Sequence, residues 1–330
     1  MGYGHLSLAE RYYIEFSRKL GKSLNRIAGD MGRSQSTISR EVSRNMGLRG
    51  YRHQQANRKA RQRHKDKAKS VKLTGEIRFL INVCLRCDWS PEQIVGRLKS
   101  MDLVTLHHET IYQYILTDKK HGGRLYSHLR HQNKTYRKRY GTSHNRTGIP
   151  NRRDIAERPA VANQRERVGD WEADTIIGSR HQGAIVTLDE RKTKLRLAAP
   201  LPAKRAVHVT AAITSLLEPL KEFVKTITFD NGKEFVQHEK IADATECETF
   251  FATPYHSWER GQNENANGLL RQYFPKKMKL TDISMAQVVA AVDRLNSRPR
   301  KCLNFKTPYE VFRELTGVDV RESMGYALIT

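Results

Sequence analysis

WEADTIIGSRHQGAIVTLDERKTKLRLAAPL, residues 171–201, decides the fold. It divides into WEADTIIG (171–178), GAIVTLDE (183–190) and KLRLAAPL (194–201), parted by short polar turns. Runs of this length, rich in Ile, Val, Thr and Leu, predict three consecutive β-strands. Downstream the pattern alternates. A helix is expected at about 204–222, a strand at TITFD (226–230), a helix at HEKIADAT and a strand at CETFFA (247–252). Three hairpin-linked strands followed by alternating helices and strands describe an α/β domain with a mixed five-stranded sheet and helices on its faces.

The half of the chain before this domain has another character. Residues 1–165 hold 35 Lys and Arg against 13 Asp and Glu, a net +22 of the +24 in the whole chain. A basic half beside a near-neutral half points to a polyanion-binding part and a second part with a different task. No apolar run reaches the length of a membrane span, and MGYGHLSLAERYY lacks a signal-peptide core. A cytoplasmic, nucleoid-associated protein is expected, with no membrane partner. Four cysteines suit a reducing compartment. Cys84 and Cys87 form a C-x-x-C, but His107 and His108 are adjacent, unlike the spaced histidines of finger-type zinc sites. The surrounding IRFLINVCLRC fits a buried helix face better than a zinc site.

Residues 23–45, SLNRIAGDMGRSQSTISREVSRN, have helix-turn-helix grammar. Ser23 can cap a helix with Leu24, Ile27, Ala28 and Met31 inward, Gly32 can make the turn, and Ser34 or Ser36 can cap a second helix anchored by Ile38 and Val42. That second helix leaves Gln35, Thr37, Ser39, Arg40 and Arg44 outward to read bases and phosphates, with Arg33, Ser34 and Ser36 beside them. A plain helical hairpin is the competing reading. Residues 51–72 carry nine Lys and Arg against one Asp and read as a linker or extended helix that tracks phosphate, with Arg58 and Arg61 as contacts.

A second helical pair is expected at 73–117, where Ser90-Pro91-Glu92 is a strong helix start. In HHETIYQYIL, His108, Thr110 and Gln113 face outward as further DNA contacts. The expected division is a helix-turn-helix domain at 1–50, a basic linker at 51–72, a second helix-turn-helix-like domain at 73–117, a basic tether at 118–165, a catalytic domain at 166–300 and a helical tail at 301–330.

Two aspartates stand where sheets present functional groups. Asp174 lies within the first strand, on the face of Glu172 and Ile176, and Asp230 ends the fourth, just before Asn231-Gly232. Each has a plainer reading: Asp174 could pair with an arginine, and Asp230 could begin an Asx-turn. A third carboxylate, Glu264, is the only charge in GQNENANG (261–268) and opens an expected helix. On that helix Glu264, Asn267, Gly268 and Arg271 share one face, while Leu269, Leu270 and Phe274 pack inward. Three carboxylates on two strands and a helix can hold two divalent cations for phosphoryl transfer.

The blocks GDWEADTIIG (169–178), TFDNGKEF (228–235) and PYHSWERGQNENANGLLRQYFPK (254–276) resemble the IS-thirty family of bacterial insertion-sequence transposases. GRSQSTISREVSRN (32–45) and RLNSRPRKCLNFKTPYEVF (294–312) carry the resemblance toward both ends. It implies a multidomain chain with N-terminal all-α helix-turn-helix modules and an RNase H-like, retroviral-integrase-type catalytic domain. The family's acidic triad falls on Asp174, Asp230 and Glu264. Two Mg2+ ions are implied, with Mn2+ as a substitute, Asp174 bridging them and the other two carboxylates holding one each. The implied activity is cleavage and transfer of double-stranded DNA at the element's terminal inverted repeats and at target DNA, by a homodimer. His256 and Arg260 are expected to position the scissile phosphate. Asn231, Asn263, Asn267 and Arg271 are further expected DNA contacts, and GQNENANG is expected to act as a flexible active-site loop. The alternative is a helix-turn-helix regulator whose RNase H-like domain does no chemistry; a nuclease that cuts without joining is a third reading.

Overall fold

Three serines start the first three helices. In the computed structural model, which describes residues 5–66, 72–130, 149–253 and 261–325, Ser7 caps α1 (Leu8–Lys19) in a reciprocal box with Glu10. Ser23 caps α2 (Leu24–Asp30) and Ser34 caps α3 (Gln35–Asn45), taking the Thr37 amide at 3.3 Å. Gly32, at φ +59°, makes the turn between α2 and α3. Helix α4 (His53–Asp66) packs on α1 and α3. Ile14, Ile27, Ala28, Ile38, Val42, Tyr51 and Ala56 form the core of these four helices. Of the two readings of 51–72, linker or extended helix, the helix is present over His53–Asp66, and Tyr51 and Ala56 bury apolar surface there. Arg63 adds a cation at the end of α3, donating to the Arg44 carbonyl at 3.3 Å and to Asn45 at 2.5 Å.

This unit, Met1–Val71, is one of two compact units; the other is Lys72–Thr330. The second unit begins with α5 (Gly75–Arg86), α6 (Pro91–Ser100) and α7 (His108–Lys120) around Ile81, Leu85, Ile94, Leu98, Ile111 and Ile115. Ser90 and Gln93 form a capping box with Pro91 in the first turn. Cys84 is half-buried against this core, and burial pushes its thiol up to about 11. A short helix, α8 (Ala160–Gln164), leads into the sheet.

Strands β1 (Asp170–Ile177), β2 (Ala184–Glu190) and β3 (Arg196–Leu201) form an antiparallel meander, as their short turns require. Helix α9 (Ala206–Leu217) carries the chain to β4 (Thr226–Phe229), parallel to β1. Helix α10 (His238–Thr245) carries it on to β5 (Glu248–Phe251), parallel to β4. The order is β3-β2-β1-β4-β5, the mixed five-stranded sheet expected.

Period-two alternation sorts the two faces. Trp171, Ala173, Val186, Leu188, Leu197, Ile227 and Phe229 pack against α9 and α10. Ile176, Ile185 and Ala198 lie on the opposite face, under Leu270 and Phe274 of the segment around α11 (Gly261–Leu270) and under α12 (Met285–Asn296). Asn296 on α12 accepts from the Arg196 amide at 3.0 Å and donates to its carbonyl at 2.8 Å, covering the open edge of β3. Helices α13 (Pro308–Thr316) and α14 (Val320–Ser323) return to the first face, where Phe312 and Val320 are buried, so the expected tail is part of the core. Among the described residues, no helix is long and apolar enough to cross a membrane.

One expectation is corrected here. The helix expected to open at Glu264 already includes Gly261, so GQNENANG lies within α11 and is not the flexible loop also expected there. Asn and Gly disfavour helix, yet Leu270 and Phe274, both buried, hold the segment on the sheet, and packing outweighs propensity.

Candidate active site

The two aspartates fall on the sheet face that α11 covers. The last register pair between β1 and β4 is Glu172 with Thr228. Asp174 and Asp230 each lie two residues beyond that pair, toward the same end of the sheet. Both are half-buried, whereas Glu264, on the first turns of α11, is exposed.

Each aspartate is already oriented. Asp174 Oδ1 accepts from the Thr175 amide at 2.8 Å, and its Oδ2 accepts from Asn267 Nδ2 at 2.8 Å. Asp230 Oδ1 accepts from the Gly232 amide at 2.9 Å, an Asx-turn that fixes the carboxylate as β4 ends. A Cβ on Gly232 would meet the carboxylate of Glu234. Glu234 is buried, and takes the Thr175 hydroxyl at 3.0 Å and the Lys204 ammonium at 2.7 Å.

Asn267 does more than touch Asp174. Its Oδ1 accepts from Arg196 Nη2 at 3.0 Å, and Arg196 also donates to the Ala266 carbonyl at 2.8 Å. Arg196 is buried and clamped by Asp189 through bonds of 2.8 and 2.6 Å. A chain of charge-assisted bonds thus runs from β2 through β3 and α11 to Asp174. Neither Arg196 nor Asp189 is evident as a site residue from sequence, since the contact of Arg196 with α11 spans about seventy positions and Asp189 acts through Arg196. The available signal was their alternation onto the same sheet face as Asp174.

The other expected contacts divide into exposed and engaged groups. Ser34, Gln35, Ser36, Arg40 and Arg44 are exposed around α3, and Arg58 and Arg61 are exposed on α4. Thr37 and Ser39 are half-buried; Thr37 Oγ1 lies 2.8 Å from the capping Ser34 hydroxyl. Arg33 pairs with Glu10 at 2.9 Å. On α7, His108 and Gln113 are exposed and Thr110 is half-buried, with Gln113 donating to Glu109 at 2.8 Å. Asn231 donates to the Ala252 carbonyl at 2.7 Å, Arg271 to the Ile177 carbonyl at 2.9 Å, and Asn263 is buried. Burial also lowers the Arg271 pKa. His256 and Arg260 lie outside the described residues.

Asp174, Asp230 and Glu264, the candidate ligands among the described residues, supply oxygen donors. No three His, Cys, Asp or Glu side chains among the described residues form a ready-made metal cage. Carboxylate oxygens without sulfur or imidazole select hard divalent cations, and Mg2+ in particular binds one or two carboxylates and fills its shell with water and substrate phosphates.

Known proteins resemble the chain over most of its length. Residues 3–45 match the family described as a helix-turn-helix domain. The chain is similar to the transposase for insertion sequence element IS4351 of Bacteroides fragilis, 42% identical over 94% of this chain and 96% of that one. It is similar to transposase InsI for insertion sequence element IS30A of Escherichia coli (strain K12), 35% identical over 93% of this chain and 83% of the other. Among solved structures, the catalytic core domain of BIV integrase is 23% identical, covers 44% of this chain and 95% of its own, and has a TM-score of 0.35.

Proposed function

The chain belongs to the IS-thirty family of insertion-sequence transposases, and we propose that Asp174, Asp230 and Glu264 are the catalytic carboxylates with which it cuts and joins DNA. It is a DNA transposase that works with a divalent metal; we assign Mg2+, with Mn2+ as a substitute, because every candidate ligand is a carboxylate oxygen. The observation that supports the reading is the β1–β4 register, whose last pair, Glu172 with Thr228, lies two residues before Asp174 on one strand and two before Asp230 on the other.

When bound, the metal activates an attacking water or 3′-hydroxyl and stabilises the leaving 3′-oxygen. The protein's own part is orientation. The Thr175 amide and Asn267 fix the two oxygens of Asp174, and the Gly232 amide fixes Asp230. Leu270 and Phe274 seat α11 on the sheet and so set the position of Glu264. His256 and Arg260 would position the scissile phosphate.

In the first unit, α3 presents Gln35, Arg40 and Arg44 to the major groove of the terminal inverted repeats, while Arg58 and Arg61 hold phosphates. Helix α7 is the second reading element, through His108, Thr110 and Gln113. Joining two element ends calls for two protomers, hence a homodimer. The test is product analysis after incubation with end-containing DNA and Mg2+. A transposase yields both cut and joined strands; a regulator yields only a complex, and a nuclease only cut strands.

A further inference from the structure

Behind α11, away from Asp174, a cavity of about 330 Å3 opens between the helix, β3 and the turn at 300–302. Four cations line it: Arg165, Lys194, Arg196 and Arg300. Of the described lining residues only Asp189 is a carboxylate, and it is taken by both bonds from Arg196. Glu190, the next carboxylate on β2, accepts from the Gly169 amide and from the amide and hydroxyl of Thr193. Lys194 donates to the Arg191 carbonyl and is drawn to Glu190, which leaves Arg165 and Arg300 as the lining cations beyond the one that Asp189 balances. Arg300 spends Nη2 on the Leu295 carbonyl at 2.8 Å and leaves Nε buried without a hydrogen-bond partner.

Crowding like charges in a half-buried space is costly, and the side chains register it. Burial, and after it Arg165, bring the Lys194 pKa down to about 8. Burial, and after it Arg298 and Arg196, bring Arg300 down to about 10. Arg165 and Lys194 also sit at φ +60° and +63°, uncommon for long side chains. Such costs persist where a ligand repays them.

We infer that this cavity is an anion site that takes a backbone phosphate of the DNA strand bound at the catalytic face. Its position favours a phosphodiester. Asn265, exposed and adjacent to Glu264, is on its rim, so a strand running past Glu264 along α11 reaches the cavity within a residue. Arg196 lines the cavity and also bonds to Asn267, so the phosphate and Asp174 are held by one connected set of side chains. The inference rests on the reading of this chain as a transposase.

The test uses the full chain and end DNA in which single phosphates are replaced, one position at a time, by uncharged methylphosphonate. Wild type should lose roughly tenfold in affinity at one or two positions, as expected for a charge-assisted contact. Arg165→Gln with Arg300→Gln should lose about as much on unmodified DNA and nothing further at those positions. Arg165→Gln alone, at an exposed residue, gives the same readout if the double variant fails to fold. Equal methylphosphonate losses in wild type and variants, or unchanged affinity of the variants for unmodified DNA, would overturn the site. Failure of the transposase reading shows separately, as wild-type protein that binds end DNA and never cuts it in Mg2+.

Discussion

Asn267 Nδ2 donates to Asp174 Oδ2 at 2.8 Å, tying the helix that carries Glu264 to the strand that carries the first aspartate. Because the Asn267 Oδ1 faces the Arg196 guanidinium, its amide nitrogen must face Asp174. A carboxylate held this way keeps its orientation before metal and DNA arrive.

Asn267→Ala should therefore lower cleavage about 10- to 100-fold, the usual cost of removing a partner of a metal-binding side chain. It should also raise the Mg2+ concentration needed for half-maximal rate and leave end binding unchanged. Asn267→Asp should be worse near neutral pH, because a second carboxylate beside Asp174 favours protonation of one of them. Cleavage measured against Mg2+ concentration checks both; unchanged curves would remove Asn267 from the site.

Within the first unit, Glu15 joins α1 to the start of α4. Lys19 at 2.8 Å, and the His53 amide and ring at 2.8 and 2.6 Å, hold its carboxyl down from 4.5 to about 2. A depressed carboxylate stabilises the fold above its unfolded pKa and loses that contribution as pH falls through the folded one. Wild type should thus be more stable than Glu15→Gln above pH 4.5, and the gap should close between 4.5 and 2. Thermal melts of Met1–Val71 across that range would show it, and a gap that stays constant with pH would refute it.

The same unit separates two kinds of DNA contact. Arg40 is exposed on α3 and Arg61 on α4. Arg40→Ala should cost roughly 1–3 kcal/mol on an element end and little on scrambled DNA, shrinking the ratio of affinities. Arg61→Ala should weaken both about equally and flatten the salt dependence. If Arg40→Ala preserves the ratio, α3 is not reading sequence at that residue and α7 becomes the better candidate.

Much of this was legible in the sequence, for reasons that particular residues make clear. The strands announced themselves because 171–201 alternates between two buried faces, and the helix starts because Ser23, Ser34 and Ser90 are local caps. The helix at Glu264 is legible from its face pattern, but its extent back to Gly261 is not, because Leu270 and Phe274 hold α11 on a distant sheet and override the poor propensity of Asn and Gly. The packing of α4 was hidden by its charge, since among the described residues of that stretch only Tyr51 and Ala56 are buried in the first unit's core. The Asp189–Arg196–Asn267 relay was invisible for another reason: nothing local in β2 or β3 says which helix will lie across them.

Packing between α6 and the 300–305 turn gives a stability prediction. A Cβ on Gly96 would overlap the Phe305 ring, and beside it Arg97 pairs with Glu310 at 2.5 Å. Gly96→Ala should destabilise the Lys72–Thr330 unit by about 1–3 kcal/mol through overpacking. All three tryptophans lie in that unit, so their fluorescence during denaturation reports on it alone. A midpoint at or above that of wild type would mean that the turn yields without cost.

The central claim is that three carboxylates perform the chemistry without being needed for docking. Asp174→Asn, Asp230→Asn and Glu264→Gln keep the shape of each side chain but remove the charge that a divalent cation needs. The decisive measurement follows end binding, strand cleavage and strand joining for these three variants in Mg2+, on the same labelled end DNA. Binding should stay near the wild-type level in all three while cut and joined products disappear. A variant that still cuts at close to the wild-type rate would contradict the account for that residue.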